Sequence, residues 1–172
     1  MKHNAGFTLI ELLVAIFIMV LLILTAIPQF QNFGKKSQIQ GTANELKALI
    51  EKTRTFAMAP RQQDSNIKNY QIDINKSGDW IIKGVKDAGQ NVEVEKGKID
   101  SRTIIDGFFY NSDQAITENI VALGFETPTG RAIRSLNNNK SKLDIVIKYK
   151  NTNITAKVLV NLISSQVEVF EE

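Results

Sequence analysis

The stretch that most limits what this chain can become is Phe7–Ile27, an almost unbroken apolar run holding a single acid, Glu11. As a helix of about 21 residues it reaches roughly 31 Å, enough to cross a hydrocarbon core. An ionised carboxylate inside such a run is expensive and needs a partner. Lys2, in the short leader Met1–Gly6, holds that end on the cytoplasmic side and sends the C-terminal domain to the far side. Three readings are open at this point. The run is a secretory signal cleaved near Thr25-Ala26, a plain transmembrane anchor, or a signal cut on the cytoplasmic side of the run that keeps the run in the mature chain. Ordinary signal cores are shorter and lack acids, which counts against the first. The second leaves Glu11 unexplained.

The remaining composition narrows the chemistry. The chain has 172 residues, a formal charge of +3, no cysteine and one histidine, His3, in the leader. Without cysteine there are no disulfides, thiolate metal sites or thiol nucleophiles. Without a histidine beyond the leader, a metal centre or imidazole general acid–base is not expected. No Gly-rich phosphate loop or nucleophile elbow is present, and the acids occur singly. The expectation is a non-enzyme with no cofactor and no metal. Lysines and arginines are interleaved with acids, so the positive balance reads as a solvated surface before a nucleic-acid footprint.

Along the chain, Pro28 follows the apolar run and is expected to kink or locally melt the helix. Phe30, Phe33, Lys35 and Lys36 mark a change from lipid to water character. From Ser37 to Ala59 the pattern is amphipathic. Ile39, Ala43, Leu46, Ile50, Thr53 and Ala57 step by four and three, Leu49 and Phe56 widen the stripe, and Glu45, Lys47, Glu51, Lys52 and Arg54 fall mainly off it. Pro60 and the polar run Arg61–Asn66 end the helix. The rest reads as strands: 70–74 and 80–85 as a hairpin around Asn75–Asp79, short strands at 92–96 and 103–105, a strong strand within 119–127, and three final strands at 143–149, 154–162 and 166–170. Gly107–Tyr110 is an apolar cluster of unassigned type, and Asn137–Lys140 a polar loop tip. The expected fold class is α+β: a long N-terminal transmembrane-plus-amphipathic helix packed on a mostly antiparallel β-sheet or two-sheet domain.

Ala5-Gly6-Phe7-Thr8-Leu9-Ile10-Glu11-Leu12-Leu13-Val14-Ala15 resembles the processing site of type IV prepilins and type II secretion pseudopilins. The resemblance implies that prepilin peptidase cuts between Gly6 and Phe7 and N-methylates Phe7. It makes Glu11 the acid at the fifth mature position and Pro28 the proline at the twenty-second, both tied to assembly. The chemistry is coherent without the resemblance. Gly6 lets a protease approach closely, and cleavage creates an amine at Phe7 that Glu11 can neutralise on its own chain or a neighbour's. Ile120–Arg131, with its phenylalanine–turn–glycine element and the paired strands after it, is similar to GspH/FimT-type minor pilins. Ser164-Ser165-Gln166 departs from the Gly-Arg turn of many such chains.

The resemblance implies a domain order of 1–6 leader, 7–28 membrane and filament-core half-helix, 29–60 amphipathic half-helix and 61–172 β-rich globular domain. It implies a minor pilin or pseudopilin of a type IV pilus or type II secretion pseudopilus. The chain would sit in inner-membrane lipid, single-pass, with its C-terminal domain periplasmic, and then join other subunits in a helical filament. Two alternatives stay open: a stand-alone membrane-anchored domain, and a FimT-like subunit binding DNA through Arg131, Arg134, Lys140 and Lys142. For those cations, solubility and strand-edge protection is the preferred explanation.

Overall fold

The computed structural model describes residues 8–60, 66–87, 89–112, 114–133 and 140–171, the side chains of 26–29, 31 and 171 excepted. Among the described residues one helix, α1 (Leu9–Met58), precedes nine strands: β1 (Ile67–Asn75), β2 (Asp79–Lys86), β3 (Asn91–Lys98), β4 (Thr103–Tyr110), β5 (Gln114–Ala115), β6 (Ile120–Glu126), β7 (Lys142–Tyr149), β8 (Thr155–Asn161) and β9 (Gln166–Glu171). The fold class is α+β. The chain divides into two compact units, residues 1–37 and 38–172.

In the first unit the described helix is apolar and exposed on all sides, from Leu9 at 83% to Leu24 at 62%. Among the described residues no helix is long and apolar enough to cross a membrane. The described side chains of the apolar run extend only from Thr8 to Thr25, short of the ~20 residues a span needs. The backbone is helical through Pro28 without interruption, so the local melting expected there is not found.

In the second unit the buried stripe follows the amphipathic reading. Ile39, Ala43, Leu46, Leu49, Ile50, Thr53 and Ala57 are buried, while Glu45, Glu51 and Lys52 are exposed. Thr42 is also buried. Thr53 keeps its hydroxyl satisfied by donating to the Leu49 carbonyl one turn back, at 2.8 Å. Phe56 is half-buried, its ring 5.8 Å from that of Tyr70. Burying a Leu or Ile side chain contributes about 1.5–3 kcal/mol, so this stripe outweighs any propensity term in holding the helix.

The strands form two antiparallel sheets, ordered β3-β2-β1-β6 and β5-β4-β7-β8-β9. Period-two alternation decides which face is buried. Tyr70, Ile72 and Ile74 of β1 sit beside Val121, Leu123 and Phe125 of β6, all buried. Leu143, Ile145 and Ile147 of β7 sit beside Ala156, Val158 and Val160 of β8. These residues and the helix stripe make one hydrophobic cluster.

The first hairpin turns at Gly78, whose φ of 85° suits a residue without Cβ. Its Asn75 side chain accepts from the Asp79 N–H at 2.8 Å. The apolar cluster at 107–110 is continuous with the strand at 103–105. A register shift between Ile105 and Gly107 puts Asp106 in a bulge, which broke the alternation in the sequence. The two-residue strand β5 was not anticipated, being too short to show a period.

Candidate assembly site

Thr8 is the residue before the first turn of α1. Its carbonyl accepts from the Leu12 N–H at 3.2 Å, the first intrahelical bond. Its hydroxyl oxygen accepts from the Glu11 N–H at 3.3 Å. In return the Glu11 Oε2 accepts from the Thr8 N–H at 2.9 Å and from the Thr8 hydroxyl at 2.8 Å. This is a reciprocal capping box, which satisfies N–H groups that a helix start leaves unpaired. The Glu11 charge also lies in the first turn, where the helix dipole favours an anion.

Glu11 thus has a local capping role, distinct from the assembly role expected of it. The signal was present in the sequence, since Thr8-x-x-Glu11 directly before an apolar run is the capping-box pattern. Both of these bonds from Thr8 end on Oε2, and Oε1 takes no part in them. The cleavage pair Gly6 and Phe7 lies outside the described residues. Pro28 is described only through its helical backbone.

Of the basic residues considered for DNA, the structure describes Arg131, Lys140 and Lys142. Arg131 lies in the turn after β6, exposed, its carbonyl accepting from the Glu126 N–H at 2.9 Å and its N–H donating to the Thr129 hydroxyl oxygen at 3.2 Å. Lys142 is the exposed first residue of β7, in the other sheet. Lys140 is half-buried, and Arg134 lies outside the described residues.

A different cation matters more to the fold. Arg54, read as lying off the buried stripe, is half-buried and reaches two turns. Its Nε donates to the Gly130 carbonyl at 3.2 Å and its Nη1 to the Ser165 carbonyl at 3.1 Å. The Ser165 hydroxyl oxygen in turn accepts from the Ala132 N–H at 2.9 Å. The β6–β7 and β8–β9 turns, from different sheets, are joined here under the end of α1. This departs from the sequence reading because a helical pattern shows which face a residue occupies and not which carbonyls come within its reach.

Comparison with known proteins adds to this geometry. Residues 1–27 match the family described as the prokaryotic N-terminal methylation motif. A fimbrial protein of Pseudomonas aeruginosa is 30% identical over 86 residues, which is 49% of this chain and 56% of that protein. A probable minor fimbrial protein of Dichelobacter nodosus is 35% identical over 97 residues, 55% of this chain and 57% of that protein. The chain thus spans little more than half the length of the curated relatives it matches. The crystal structure of the minor pseudopilin EpsH from the type II secretion system of Vibrio cholerae aligns with a TM-score of 0.53 at 7% identity, covering 79% of this chain and 95% of that one. The chain therefore carries a prokaryotic N-terminal methylation motif ahead of a domain with the fold of a minor pseudopilin.

Proposed function

We propose that this protein is a minor pilin or pseudopilin, a structural subunit of a type IV pilus or type II secretion pseudopilus without enzymatic activity of its own. The observation that carries the reading is the methylation-motif match over residues 1–27, directly ahead of a pseudopilin-like β domain. The apolar run Phe7–Ile27 anchors the precursor in the inner membrane with the β domain on the periplasmic side, and prepilin peptidase cuts between Gly6 and Phe7 and methylates Phe7. Glu11 then meets the new amine through the oxygen its capping box leaves over. Neutralising two charges in apolar surroundings favours entry of the helix into a bundle with other subunits.

Mass spectrometry of the mature N-terminus tests this reading. The expected product begins at Phe7 and carries one added methyl group; an intact Met1, or cleavage near Ala26, would sink it. A bulky replacement at Gly6 should block cleavage. Glu11→Val should be cleaved and yet fail to enter filaments. Normal incorporation of that variant would remove Glu11 from the assembly role. DNA binding through Arg131, Arg134, Lys140 and Lys142 is not part of this reading, since solubility and strand-edge protection is the preferred explanation for those cations.

A further inference from the structure

The edges of the two sheets are treated differently. The outer side of β6 is occupied by residues 131–133: the Glu126 N–H donates to the Arg131 carbonyl, and the Ile133 N–H donates to the Gly124 carbonyl at 2.7 Å. The outer side of β4 is occupied by β5 and by Ile116, whose N–H donates to the Phe108 carbonyl. β3 is an edge, but its pairing with β2 shifts register at Ile82/Lys83 and it carries Lys96 and Lys98. Bulges and lysines are the ordinary means of discouraging strand addition.

β9 has none of these means. It is the outermost strand of its sheet, runs in unbroken register against β8, and contains no Lys, Pro or Gly.

The direction of its backbone groups follows from one hydrogen bond. The Leu162 N–H donates to the Ser141 carbonyl at 2.8 Å, so residue 162 turns toward β7. Backbone direction alternates along a strand, so Asn161, Leu159 and Lys157 turn toward β9, where they pair with Gln166, Glu168 and Phe170. Among the described residues, no strand pairs with the N–H and C=O groups that Val167, Val169 and Glu171 turn to this edge. Val167 is buried and Val169 half-buried on the inner face, whereas Glu168 is exposed and Phe170 is 45% exposed on the outer face.

We propose that β9 is a docking edge that takes an added strand from another protein, an extended segment with a Lys or Arg facing Glu168 and an apolar residue facing Phe170. Main-chain bonds to 167, 169 and 171 supply the attachment, and alternate side chains supply the selectivity. The charge pattern favours a foreign strand over a second copy of β9. The strand carries Glu168 and Glu171 and no basic residue, so a second β9 brings no cation to answer either acid. β3 of a second copy is a poorer fit, since Lys96 is paired with Glu93 and Lys98 with Asp79. The inference stands apart from the filament reading and survives its failure.

The test is amide hydrogen exchange by NMR on the full chain in detergent micelles, with the capped peptide Thr-Val-Lys-Val-Leu-Val-Thr as probe. The expected result is slowed exchange at Val167, Val169 and Glu171, with Glu168 and Phe170, already bonded to β8, unchanged. Val169→Pro removes an edge-facing N–H without taking one from the β8 ladder. It should abolish the effect while the Val158 and Val160 amides stay protected. Glu168→Lys, at an exposed side chain, should weaken binding roughly fivefold, as should Glu in place of the peptide's Lys. No change at the three amides with millimolar peptide would overturn the proposal, as would protection that survives Val169→Pro. Concentration-dependent protection without peptide would assign the edge to a second copy and also overturn it.

Discussion

The Arg54 guanidinium, one turn from the end of α1, donates to the carbonyl of Gly130 at 3.2 Å across 76 positions of sequence. With its second bond to Ser165, it closes the helix against a turn from each sheet. Carbonyls that accept from a charged donor gain more than from a neutral one, and they lose water to gain it. Arg54→Met keeps the apolar stem and removes the donors. It should lower stability by about 2–3 kcal/mol, read as a lower urea midpoint at unchanged slope. Arg54→Lys should recover less than half of the loss, since a point donor cannot serve two carbonyls set for a planar fork.

Gly130 adds a steric half to the same junction. Its φ is +64°, and an added Cβ would lie 2.4 Å from Met58 Cγ. Gly130→Ala should cost about 1–2 kcal/mol for the left-handed backbone alone, with a further loss from the methionine. Met58→Ala in the same chain should return the steric part and leave the backbone part. A double-mutant cycle of urea midpoints should therefore show coupling of roughly 0.5–1 kcal/mol or more. Additive effects would mean that Met58 moves aside freely.

Two carboxylates, Asp79 at the start of β2 and Asp100 before β4, are expected to make the fold sensitive to acid. Ser77, Lys98 and Asn75 hydrogen-bond Asp79 and lower it from 3.8 to about 2. Arg102 does the same for Asp100, also to about 2. A carboxylate with a depressed folded pKa contributes stability that is present above its unfolded value and is lost as pH falls through the folded one. Stability should therefore decline between about pH 4 and pH 2. Asp79→Asn and Asp100→Asn should each flatten that decline in urea titrations over the range. A curve as steep as that of the parent chain would show that neither group contributes.

The capping box predicts a local effect separable from processing. Thr8→Ala removes the hydroxyl that Glu11 caps with and should cost about 1 kcal/mol of helix-start stability. The amides at the start of α1 should exchange faster, and cleavage before Phe7 should persist because Gly6 is unchanged. Thr8→Ser, which keeps the hydroxyl, should restore slow exchange.

At the centre of the stripe, Leu46 is fully buried. Leu46→Ala should destabilise by about 2–5 kcal/mol, whereas Glu45→Ala beside it should stay within about 0.5 kcal/mol. A comparable loss at both positions in thermal or urea unfolding would contradict the assigned face of the helix.

Most of the fold was legible because the signals are periodic. Ile39 to Ala57 kept a four-and-three spacing, and the strands kept period two, so a residue's neighbours announced which side it would bury. Legibility failed where the period broke. The bulge at Asp106 divided β4 in two, and β5 has only two residues. Thr8 and Glu11 carry capping-pair spacing, but an acid in an apolar run also has the signature of a charge that needs a distant partner, and spacing alone does not choose between the two.

The sequence by itself determined the apolar helix, its acid and capping residue, the buried stripe beyond Ser37 and the faces of the main strands. Those properties depend on neighbours within a turn or a strand. Only the tertiary structure decided that β6 returns to lie beside β1, that Arg54 closes on Gly130 and Ser165, and that β9 is left as the open edge. Such pairings join residues far apart in the chain. They are settled by which burial and hydrogen bonding can be satisfied together, and no local pattern records that outcome.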